Sequence, residues 1–127
     1  MVKSAGVLAA MGCLGIAAFQ VALAAGAPIG RAAWGGAHER LPGKLRVASA
    51  VAAFVWVLAA LIVLAGAGFE ASPIPASVAD SATWALAGLL LVGAAMNSLS
   101  RSRLERRIWV PVALFLAALT VIVASAG

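Results

Sequence analysis

"KLRVASAVAAFVWVLAALIVLAGAG", residues 44–68, runs from Val47 to Gly68 without a charged side chain. Crossing the hydrocarbon core of a bilayer takes about 20 helical residues at about 1.5 Å each. In lipid every backbone N–H and C=O must be paired by the protein itself, and a helix achieves this within one segment. The stretch does not alternate apolar with polar residues, so it does not fit a barrel strand. It reads as a transmembrane helix. Three more runs, roughly 4–25, 78–97 and 103–126, have the same character, and none carries a charge near its midpoint.

The whole chain agrees with this reading. Its 127 residues are 65% hydrophobic and 10% charged, and the mean hydropathy is +1.10. Soluble domains carry charge on about a quarter of their residues. The expected fold is therefore all-α: a single integral-membrane four-helix bundle over residues 1–127 with a long structured first loop. A net charge of +5 would suggest nucleic acid in a soluble chain. Here the cations flank apolar spans, so they read as membrane orientation and no nucleic-acid partner is expected. Cys13 lies alone in an apolar run and cannot form an intrachain disulfide.

Charge by loop gives the sidedness. The first loop has Arg31, Arg40, Lys44 and Arg46 against Glu39, a balance of +3. The third has Arg101, Arg103, Arg106 and Arg107 against Glu105, again +3, while the second has only Glu70 and Asp80. The positive-inside rule puts both basic loops in the cytoplasm and both termini outside, as in a multi-pass membrane protein. One competing reading concerns the amino end. "MVK", an apolar run and "ALAAGA" have the form of a cleavable signal peptide. The run is nearer 20 residues than the usual 7–15, and more charge follows it than precedes it.

Local signals mark the helix ends. In "SPIPASVAD", Ser77 with Asp80 three residues later predicts an N-cap; in "SRSRLER", Ser102 with Glu105 reaching back predicts another. Pro42 falls at the start of the second helix. Pro111 falls two turns into the fourth and is expected to kink it. Lys44, Arg46, Arg103 and Arg106 stand near helix starts, where the dipole disfavours cations, so they are not expected to stabilise helices. Ala5, Ala9, Cys13 and Ala17 form a small-residue stripe suited to close helix approach, with Gly6, Gly12 and Gly15 beside it; Gly88, Ala95, Ala113, Ala117 and Ala118 offer similar surfaces. These surfaces serve packing within one chain, a homodimer or a larger membrane complex. Trp84 and Trp109 read as interfacial anchors, whereas Trp56 falls mid-span and reads as packing. Ser49 and Thr120 are expected to bond back to their own helices.

The candidate site lies at the basic loops. "GAPIGRAAWGGAHERLPGKLR", residues 26–46, holds the single histidine and is punctuated by glycine and proline. It is too long for a tight hairpin and apolar enough to lie at the interface. Folded over the bundle, it would bring Arg31, Trp34, His38 and Glu39 near Gln20, Asn97 and Arg101, with Glu105 close by. Cations beside the free N–H groups of the second and fourth helices would attract a phospholipid head group or another phosphate; the alternative is an interfacial lid whose cations only set topology and whose tryptophan is an anchor. Other chemistries fit less well. One His and one Cys make no zinc site, haem would need His38 from two chains, and no cofactor is expected. No acid is expected to be buried in any span, which argues against a proton-coupled multidrug antiporter.

Two strings, "GAPIGRAAWGGAHERLPGKLRVAS" and "MNSLSRSRLERRIWVPVAL", resemble a group of small four-helix bacterial membrane proteins. The most specific part is N-x-x-SRS-x-x-ER-x-x-W-x-P, from Asn97 to Pro111. The resemblance covers nearly the whole chain and implies an architecture but no reaction. The expected function is therefore a non-enzymatic membrane protein that binds anionic lipid or a membrane partner through its basic cytoplasmic face. A homodimeric channel or transporter, with a path lined by Gln20, Asn97 and Thr120, comes second. A membrane enzyme acting on a lipid phosphate through His38 or Glu39 comes third.

Overall fold

The computed structural model describes residues 1–126. Four long helices account for most of them: α1 (Val2–Ala24), α2 (Gly43–Gly66), α3 (Ala76–Ser98) and α4 (Arg103–Ser125). Each is long and apolar enough to cross a membrane, as expected, and the protein is a multi-pass membrane protein. Two single 3-10 turns, Gly30–Ala32 and Trp34–Gly36, interrupt the first loop. An even number of spans brings both chain ends to one end of the bundle. The first and third loops share the other, here called the lid end.

Side-chain size is distributed inside out relative to a soluble protein. Sixteen of the twenty-five buried apolar residues are alanine, so the helices associate through close backbone approach rather than large interlocking side chains. Bulky residues point outward instead; Phe54 is 73% exposed and Leu89 68%. This suits a lipid solvent, in which an outward Leu or Phe has nothing to escape from.

The most intimate pair is α1 with α2, followed by α3 with α4. The stripe Ala5, Ala9, Cys13 and Ala17 is buried, as its spacing predicted. A Cβ at Gly6 would meet Ala67 Cβ at 2.5 Å. Gly88, Ala95 and Ala118 do not join this interior; they face outward. Helices α2 and α3 meet closely where a Cβ at Gly66 would press on Thr83 Oγ1.

The helix ends show why the connections turn where they do. At the end of α1, Gly26 has φ +92°, which an L side chain disfavours. Ala27 N donates to Ala22 O at 3.0 Å, and Gly26 N to Leu23 O at 3.0 Å. This paired closure satisfies carbonyls that a bare helix end leaves open. Helix α2 ends in the same way around Gly68. At the start of α3 the expected Ser77–Asp80 cap does not form. Pro75 is the N-cap, with φ −61° and ψ 139°; its ring fixes the extended entry, so Ser77 already lies inside the first turn. Pro111 sits inside α4, leaving the Arg107 carbonyl without its helical donor.

Candidate functional site

The first loop folds over the lid end and is fastened there by packing and by hydrogen bonds. Leu23, Ala33 and Leu41 form a small buried cluster with Phe19 and Leu45 against it. Gly30 N donates to Glu39 O at 2.7 Å, closing the loop on itself. Trp109 Nε1 donates to Ala32 O at 2.6 Å, and its ring lies 4.9 Å from that of Phe19. Ser102 Oγ donates to Arg31 O at 2.8 Å. Trp34 Nε1 donates to Ser49 Oγ at 2.9 Å.

Two expectations are corrected by these contacts. Trp109 is not a free interfacial anchor; it faces inward and holds the loop. Ser49 does not bond back to its helix, because its hydroxyl accepts the indole of Trp34 from above. Thr120 does bond back, to Leu116 O at 2.7 Å.

Glu105 is the centre of the arrangement. It is only 8% exposed and lies in the first turn of α4. Its Oε2 accepts from Gly35 N at 2.9 Å and from Ser100 Oγ at 2.8 Å. Half of the predicted capping box is present: Ser102 Oγ accepts from Glu105 N at 3.2 Å. The other half is not, since the carboxylate turns to the lid rather than back to Ser102 N, which donates to Ser100 Oγ. The expectation that no acid is buried in a span is therefore overturned. Burying a carboxylate is costly unless it is hydrogen-bonded, and the lid supplies the bond.

The backbone around Gly35 is unusual. Trp34, Gly35 and Gly36 have φ of +49°, +81° and +75°. For tryptophan this conformation costs on the order of 1 kcal/mol or more. The strained residue carries the indole that reaches Ser49. Gly36 must lack a side chain, since a Cβ there would sit 2.7 Å from Ser102 Cβ.

Beneath the lid lies a cavity of about 380 Å³ between all four helices. Gln20, Trp34, Asn97 and Glu105 line it, so four of the eight candidate residues are brought together. Arg31, His38, Glu39 and Arg101 are not; their side chains are exposed. Phe19, Trp56 and Trp109 also line the cavity, and Trp56 packs against the main core as expected. Gln20 Oε1 is buried and receives no hydrogen bond. Thr120 lies apart in the core, so Gln20, Asn97 and Thr120 do not line one path. Ser100 and the inward role of Trp109 were missed in the sequence. The repeated serines around Arg101 were the available signal for the first.

The cations also need correction. Arg46 Nε donates to Ala24 O at 2.8 Å, at the end of α1, and Arg106 Nη1 donates to Ser100 O, just past α3. Each stands near the start of its own helix but closes the end of a neighbour, where a cation is favoured. Compared with protein-family models, curated proteins and solved structures, the chain matches none.

Proposed function

We propose that this is a non-enzymatic protein of the bacterial cytoplasmic membrane, with both termini outside, that holds anionic lipid head groups at its lid end. The observation carrying this reading is that the lid end keeps a set of uncommitted cations on a fixed surface. Arg46 and Arg106 serve the helix ends, while Arg31, Arg40, Lys44, Arg101, Arg103 and Arg107 remain exposed. Each cation near an anionic leaflet contributes about 1 kcal/mol. A loop fastened to the bundle presents them without first being ordered. The resemblance to small four-helix bacterial membrane proteins is consistent with this location. A membrane partner with an acidic surface would use the same face.

His38 and Glu39 face solvent, and the loop uses the Glu39 backbone carbonyl rather than its carboxylate. This favours binding over catalysis on a lipid phosphate. The test is native mass spectrometry of the protein gently extracted with its lipids. Retained anionic lipid, lost in Arg31→Gln and Arg101→Gln, is the expected result. Unchanged retention in both variants would refute the reading, and a lipid-free dimer would favour a channel or transporter instead.

A further inference from the structure

We infer that the cavity beneath the lid is a binding site for a small organic ammonium ion with an apolar body. This goes beyond the lipid reading, whose cations lie outside the cavity. At about 380 Å³ the space falls within the range of small-ligand pockets. Phe19, Trp34, Trp56 and Trp109 line it. The indole donors of Trp34 and Trp109 are already taken by Ser49 and Ala32, so these two rings offer π surface to an occupant.

The polar groups give the sign. Among the described residues Glu105 is the one charged residue lining the cavity. Both hydrogen bonds to its carboxylate come from neutral donors and fall on Oε2. Gln20 Oε1 is buried with no donor, and buried polar atoms in folded proteins are almost always paired. An anion would be repelled by Glu105. A purely apolar occupant would leave the Gln20 oxygen unpaired. An ammonium group gives an N–H to the free carboxylate oxygen and a charge attracted to aromatic faces, and rotation of the Gln20 side chain, which lines the cavity, would bring the amide oxygen to a second N–H.

The test uses the full chain in phosphatidylcholine nanodiscs, with 2-phenylethylammonium as probe. 2-Phenylethanol serves as the neutral analogue and 3-phenylpropanoate as the anionic one. Fluorescence of Trp34, Trp56 and Trp109 reports occupancy. The ammonium should bind saturably and about tenfold or more tighter than the alcohol, and the carboxylate should not bind. Glu105→Gln should abolish the preference. Because that change also touches the lid, Gln20→Leu and Trp56→Leu, which remove no lid bond, should each weaken the ammonium several-fold relative to the alcohol. Equal binding of ammonium and alcohol, no saturable ammonium binding, or a preference that survives both Glu105→Gln and Gln20→Leu would overturn the inference. Arg31→Gln and Arg101→Gln act on lipid retention, so the two readings fail separately.

Discussion

Single residues at the lid carry contributions that the surrounding geometry makes large. Ser102 accepts from Glu105 N and donates to Arg31 O, so it caps α4 and fastens the loop at once. Ser102→Ala should lower stability by about 0.5–2 kcal/mol, the usual range for a lost N-cap, read as a drop in the detergent melting temperature. Gly36→Ala should cost about 1–3 kcal/mol, through positive φ and a Cβ pressed on Ser102. At Gly35 a Cβ would meet nothing within 4 Å, so Gly35→Ala should cost only the conformational part, about 1–2 kcal/mol. Equal losses at the two glycines would contradict the contact with Ser102. The sequence showed Ser102 as a cap because the motif is local. It could not show that Glu105 would turn away, since its partner Gly35 lies seventy residues earlier.

At the scale of elements, apolar length made the four helices legible, and spacing four made the α1 face legible. Helix ends were less so. Ser77 has cap chemistry, yet Pro75 sets the chain direction two residues sooner. Arg46 and Arg106 stand near the starts of their own helices, while their partners belong to others. That pairing depends on which helix ends are neighbours, which no local pattern encodes. The α1–α2 contact gives a direct prediction. Ala9 is fully buried, and Ala9→Leu should destabilise the pair by about 1–3 kcal/mol through overpacking. Cys13 on the same face is buried, so maleimide should label it slowly in the native protein and faster in Ala9→Leu. Leu8, which faces outward, should tolerate alanine with no change in Cys13 labelling.

For the whole molecule, the charge distribution and the fold point the same way. Eight of the nine Lys and Arg residues lie at the lid end, and Lys3 lies at the other. Lys3 is held over the Phe69 ring at 5.3 Å. In a Cys13→Ala background, a membrane-impermeant maleimide on intact cells should label Ser125→Cys and spare Arg40→Cys; the reverse pattern would invert the orientation. The bundle and the basic face were readable from composition and loop charge. The cavity was not, because it arises where the lid and all four helices meet and its key acid looked like a capping residue. The central claim is that the first loop is a lid locked to the bundle through Glu105. Hydrogen–deuterium exchange of the Gly35 amide tests it most directly. Strong protection in the native protein, lost in Glu105→Ala with α1–α4 still protected, is the expected result; exchange at the rate of a free loop in the native protein would contradict it.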